Sequence, residues 1–180
     1  MQVDSSREIL LETGKEWQTV RVGITGHQDL GTKSSVVWVS GALAHAVREY
    51  RVTRGFTSLA AGADQLFAEI LHREGIPYVA VIPSHDYGNT FSDKSIHDNY
   101  SFLVAHAEEI VRLEYGRPEE AAFFAAGKRV VDLSQIIFAV WDGKRARGLG
   151  GTADIVRYAI LNKKQVVHFN PVRRQTKTVT

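Results

Sequence analysis

The sequence predicts a three-layer α/β fold in which a mainly parallel sheet of five or six strands is covered by helices on both faces. Three observations predict it. Short strands rich in β-branched residues alternate with helical stretches, an order that calls for right-handed crossovers between parallel strands. A strand leading into a glycine-containing polar loop and then a helix recurs along the chain, after Thr25, after Ala60 and after Trp141. The apolar run Ile136 to Trp141 is too short for a helix and lacks alternation, as in a strand buried on both faces.

Residues 1–19 show no clear period. Ile9, Leu10 and Leu11 before Thr13-Gly14-Lys15 read either as an edge strand turning back towards Val20 or as an extension. The first firm strand, Val20 to Thr25, leads into Gly26-His27-Gln28-Asp29. A helix follows from Val37 to Arg51, burying Val39, Leu43, Ala46, Val47 and Tyr50. Phe56 to Ala60 is the second strand. Ala61-Gly62-Ala63-Asp64 turns into a helix whose stripe is Leu66, Phe67, Ile70 and Leu71, and Gly75 and Pro77 end it. Tyr78 to Ile82 is the third strand. The polar stretch His85 to Asp98, carrying Tyr87 and Phe91, suits either a loop over a site or a surface excursion.

A helix from Ile96 to Glu109, a strand from Ile110 to Glu114 and a helix from Pro118 to Val131 come next. After the central strand and its glycine loop, Thr152 is placed to cap a helix with Ile155, Val156, Ala159 and Ile160 on one side. Gln165 to Phe169 is the last strand. The expected organisation is an extension at 1–19, one domain at 20–169 and a flexible polar tail at 170–180.

A chain of 180 residues with 44% hydrophobic content suits one domain with a sizeable core. The absence of cysteine excludes disulfides and thiolate metal sites. No apolar run is long enough for a membrane span and no export signal is visible, so a cytoplasmic location is expected. The seven histidines show no paired ligand spacing beyond Asp93 and His97, so no metal is expected, and no cofactor. A net charge of +2 gives no basic face and argues against nucleic acid as a partner.

In an open parallel sheet the ligand crevice lies beyond the carboxyl ends of the strands. Four loops collect there: Gly26 to Asp29, Ala61 to Asp64, Ser84 to Tyr87, and Asp142 to Thr152. The last of these joins a glycine-rich loop to a helix N-terminus, which offers backbone N–H groups and the positive end of a helix dipole to a phosphate. The glycine series of a dinucleotide fingerprint, a Walker loop and a serine-hydrolase elbow are all missing.

Ser58-Leu59-Ala60-Ala61-Gly62-Ala63-Asp64 resembles the small-residue, glycine and aspartate turn of the DNA-processing branch of the SLOG superfamily, and Gly150-Gly151-Thr152 is similar to that superfamily's phosphate loop. The resemblance spans residues 20 to 169 and implies a Rossmann-like fold that binds a nucleotide or nucleotide-derived ligand. Val131-Asp132-Leu133, Asp142-Gly143 and Gly151-Thr152-Ala153 are also similar to the nucleoside deoxyribosyltransferase pattern. Both likenesses imply a glutamate three residues after the Gly151-Thr152 pair, acting at the sugar C1. This chain has Ile155 there.

Two functions are therefore expected. In the first, a binding module holds the phosphate at Gly148 to Thr152, with Gly150, Gly151 and Thr152 as donors. Gly26, His27, Gly62, Asp64, Ser84 and Asp132 then contact the remainder of a nucleotide-like small molecule. The alternative is an N-glycosidase acting on a nucleoside 5′-monophosphate, with Asp154, Asp64 or Asp142 as the catalytic carboxylate. The resemblance also implies a homodimer or higher homo-oligomer, to which Trp38, Phe123 and Phe124 are candidates to contribute. No membrane partner is expected.

Overall fold

The computed structural model describes residues 19–145 and 150–179; the expectations for residues 1–18, for Gly148 and for Thr180 lie outside them. The elements alternate as β1 (Arg21–Gly26), α1 (Lys33–Glu49), β2 (Arg54–Thr57), α2 (Ala63–Arg73), β3 (Tyr78–Ile82), α3 (Lys94–His106), β4 (Glu109–Arg112), α4 (Glu120–Leu133), β5 (Ile136–Val140), α5 (Thr152–Leu161), β6 (Gln165–Asn170) and β7 (Gln175–Val179). They form one sheet in the order β4-β3-β2-β1-β5-β6-β7, parallel except for the last pair. Helices α1, α2 and α3 pack on one face, and α4 and α5 on the other. This is the Rossmann-like α/β fold that the alternation of elements predicts.

The larger core lies on the α1–α3 face. Phe138 of β5 sits at its centre and meets Tyr50, Phe67 and Phe169 at tilted or edge-to-face angles, with ring centroids 5.7, 5.9 and 5.3 Å away. Each such contact contributes about 0.5–1.5 kcal/mol beyond the area it buries. On the other face Val131, Ile137, Ala139, Ile155, Val156 and Val166 form one cluster, with Phe56, Val79, Val81 and Val130 forming another. Burial on both faces explains why β3 and β5 read as continuous apolar runs.

Three expectations are corrected. Helix α1 begins at Lys33 rather than Val37, because Thr32 Oγ1 accepts the Ser35 N–H at 3.3 Å and starts the helix ahead of its apolar stripe. The polar tail forms β7, antiparallel to β6, with Val166 opposite Val179 and His168 opposite Lys177. The turn between them is set by Asn170, whose Oδ1 accepts the Val172 and Arg173 N–H groups at 3.0 and 2.9 Å. The sheet therefore has seven strands, one or two more than the sequence suggests. The stretch after β3 is largely structured: a 3-10 turn covers Tyr87–Thr90, and α3 starts at Lys94 with Asp93 accepting the Ser95 N–H at 2.8 Å.

Candidate functional site

The strand order fixes where a ligand can sit. From β1 the chain steps outward through β2, β3 and β4, and from β5 it steps the other way through β6 and β7. Crossovers diverge at the β1–β5 pair, so the crevice opens above the carboxyl ends of Gly26 and Val140, which are in register.

The loops after β1 and β2 are locked together beside it. A Cβ on Gly26 would stand 2.4 Å from Ala63 Cβ, so the start of α2 rests directly on the end of β1. Gly62 has φ +78°, and a Cβ there would fall 2.2 Å from the Gln28 carbonyl oxygen. The Ala63 N–H donates to His27 O at 3.2 Å. That amide of α2 is used internally and does not face a ligand.

On the β5 side, His27 Nε2 lies 3.2 Å from both the Asp142 N–H and Asp142 Oδ1. A neutral ring accepts from the amide, whereas a protonated ring donates to the carboxylate; one nitrogen cannot do both at once. Lys144 adds a backbone N–H to Asp142 Oδ1 at 2.9 Å and its ammonium to Oδ2 at 3.4 Å. Partial burial pushes the Asp142 carboxyl up, but the donors from Lys144 and His27 outweigh it and hold the group below the usual carboxylate range.

Helix α5 begins at the same edge. Gly151 is its N-cap residue, and Thr152, expected to cap, is instead the first helical residue and makes no capping bond. Gly150 adopts φ +82°, where a Cβ would approach the Phe124 backbone to 2.9 Å. The Gly150 N–H donates to Asp154 Oδ2 at 3.2 Å, so Asp154 secures the loop rather than standing free as a catalytic base. Among the described residues the N–H groups of Gly151, Thr152 and Ala153 find no acceptor.

The structure disperses the other predicted residues. Asp64 is 5% exposed and turned onto the end of β2, its Oδ2 accepting from the Ser58 N–H at 3.1 Å and Thr57 Oγ1 at 3.3 Å. Burial raises its pKa to about 7, against the lowering effect of those donors. Ser84 is fully buried at the end of β3, two strands from β1, with no partner for its hydroxyl among the described residues. Above that edge Tyr87 packs on Phe91, Tyr100 and Phe123, so aromatic rings close the sheet there. Asp132 is at the far end: it lies in the last turn of α4, just before β5 begins, and accepts from Tyr158 OH at 3.0 Å. Its expected ligand role is thereby corrected, because α4 runs antiparallel to the strands and carries it to the amino-terminal edge.

Ile155, in the place of the implied glutamate, is 2% exposed and belongs to the core between α4 and α5. A Cβ on Gly127 would stand 2.4 Å from Ile155 Cδ1, so α4 has made room for that side chain. Sequence reasoning missed the polar face of the β6–β7 hairpin. Alternation in Gln165 to Asn170 puts His168 and Asn170 on one face with Val166, a signal that this face is not wholly covered. Among the described residues no cluster of three or more His, Asp or Glu could hold a metal ion, and no helix is long and apolar enough to cross a membrane.

The chain matches no protein-family model and no curated protein sequence. Its fold is shared with solved structures. DNA processing protein A from Streptococcus pneumoniae aligns at 17% identity and a TM-score of 0.63, over 83% of this chain and 50% of that one. The Helicobacter pylori protein of the same name, described with a single-stranded DNA binding mode, gives 19% and 0.60 over 83% and 64%. A molybdenum cofactor binding protein from Rippkaea orientalis gives 15% and 0.53 over 85% and 77%. The chain thus spans half to two thirds of the DNA processing proteins. The Rossmann-like fold implied by the motifs is the fold of the chain; the likenesses to the SLOG superfamily and to nucleoside deoxyribosyltransferases remain ones of motifs.

Proposed function

We propose that the crevice above β1 and β5 binds the phosphate end of a nucleotide-like small molecule and does not hydrolyse it. The observation that carries the reading is the start of α5, where three consecutive amides, Gly151 to Ala153, meet no described acceptor at the point where the crossovers diverge. His27 and Asp142 stand beside them as a hydrogen-bonding pair for the sugar or base. Gly26, Gly62 and Gly150 serve by letting the loops approach, and Asp64 serves by holding the β2–α2 turn.

The N-glycosidase alternative requires a carboxylate at the sugar C1. Ile155 is buried, Asp154 is engaged by Gly150, and Asp64 is enclosed. Asp142 is partly exposed and held below the usual carboxylate range, but it is already shared between His27 and Lys144. This distribution favours binding over catalysis.

Calorimetry with a panel of nucleoside monophosphates and inorganic phosphate tests the proposal. Molybdenum cofactor and single-stranded DNA, chosen from the structural neighbours, form the comparison arms. Thr152→Pro is the informative variant, since proline is tolerated at the first helical position yet removes one of the three amides. Binding of a monophosphate that weakens about tenfold or more in Thr152→Pro supports the site, that factor corresponding to ~1.4 kcal/mol. Free base appearing on incubation would overturn the non-hydrolytic reading. Binding of none of the phosphate compounds at millimolar concentration would overturn the site itself.

A further inference from the structure

A groove of about 550 Å³ runs between α5 and the β6–β7 hairpin, within the ~300–1,000 Å³ typical of small-molecule sites. It exists because β7 widens the sheet beyond what α5 covers. Its floor is the hairpin face on which Val166 opposes Val179, His168 opposes Lys177, and Asn170 opposes Gln175. Helix α5 supplies the wall through Val156, Arg157 and Ile160, and the Trp141 ring, 5.3 Å from that of His168, stands at the β5 side. The groove is graded along its length, from aliphatic at Val166, Val179 and Ile160 to polar at Asn170 and Gln175.

Its charge is unbalanced. Arg157, Arg173 and Lys177 line it, and none forms an ion pair with a described carboxylate. The single acid in the lining, Asp142, is already committed to His27 and Lys144. A concave apolar surface ringed by uncompensated cations complements an anion with a hydrophobic body.

We propose that this groove is a second ligand site, taking an organic carboxylate or sulfonate on an aromatic or branched hydrocarbon frame. The charge pairs with Lys177 and Arg157, and the frame lies on Ile160, Val166 and Val179 beside Trp141. The groove borders the phosphate site and shares Asp142 and Ala153 with it, but the inference does not rest on that site, because the contacts proposed here are made by Lys177, Arg157, Ile160, Val166, Val179 and Trp141.

The test is calorimetric titration of the whole chain with naphthoate and with naphthamide, which has the same rings without the charge. Naphthoate is expected to bind about tenfold more tightly than naphthamide. Lys177→Ala and Arg157→Ala are each expected to weaken it about fivefold, at the upper end of the range for exposed charge pairs. Naphthoate is expected to quench tryptophan fluorescence, a signal that Trp141→Phe removes, and Thr152→Pro leaves binding intact. Ile160→Trp, at a position 38% exposed, blocks the groove without disturbing the core. Equal binding of the two compounds, or binding indifferent to Lys177→Ala and Ile160→Trp, would overturn the site. Loss of naphthoate binding in Thr152→Pro would show a single site and overturn its independence. Sedimentation that gives a dimer whose dissociation is required for naphthoate to bind would assign the groove to a second copy of the chain instead.

Discussion

Ile155 and Asp64 are both buried, and their surroundings decide what each can do. Restoring the implied acid with Ile155→Glu does not create a glycosidase, because the side chain enters the α4–α5 core over Gly127 rather than the crevice. A buried, unpaired carboxylate costs about 3 kcal/mol or more. The variant is expected to melt well below the parent and to release no base from nucleoside monophosphates; base release with unchanged stability would contradict this placement. Asp64 carries a pH dependence. Its pKa rises from 3.8 unfolded to about 7 folded, so between these values the native chain binds more protons than the unfolded one. Stability associated with this group is therefore full below 3.8 and is lost as pH climbs towards 7. At ~1.4 kcal/mol per unit the whole loss is on the order of 4 kcal/mol. Asp64→Asn keeps the shape and removes the titration, so denaturant melts across that window should show a flatter profile; an unchanged slope would assign the dependence to other groups.

Among the elements, the interlocked loops after β1 and β2 set the shape of the crevice. Gly62→Ala would place a methyl against the Gln28 carbonyl at a positive φ. It is expected to destabilise by about 2 kcal/mol or more and to weaken ligand binding through displaced His27, whereas Gly116→Ala, with open space around its Cβ position, should do neither. Periodicity revealed the strands β1 to β3, β5 and β6 and the helices α1 to α5, because burial on one face or both leaves a pattern in the side chains themselves, whereas the largely exposed β4 was legible only from its β-branched residues. What it could not reveal was direction. Asp132 and Asp142 are ten positions apart on one continuous segment, yet the sheet sends them to opposite edges. Asp64 reads as a site residue until its partners Ser58 and Thr57 are seen to hold it inward. The glycine-led start of α5, whose first amides meet no described acceptor, is a signal local to the backbone and so is written in Gly150-Gly151-Thr152.

For the molecule as a whole, the consequence of β7 is the covering of an edge. Gln175-Thr176-Lys177-Thr178-Val179 has little apolar content, which is why it reads as a tail, and all but its last residue are exposed. Such polarity suits an outermost strand, where a lysine discourages pairing with another chain. Beneath it β6 is buried from Val166 through Asn170 and carries Val166, Val167 and Phe169. Ending the chain after Asn170 would turn this apolar strand into the edge, with its outward N–H and C=O groups unpaired. It would also remove the Asn170 turn and half of the groove against α5. The truncated protein is expected to elute as soluble aggregate in size-exclusion chromatography while keeping most of its helical circular dichroism, because neither helical layer contributes to the lost pairing. A monodisperse truncation as stable as the full chain would mean that β7 protects nothing. A folded but aggregating one would show that this strand guards the edge of the sheet.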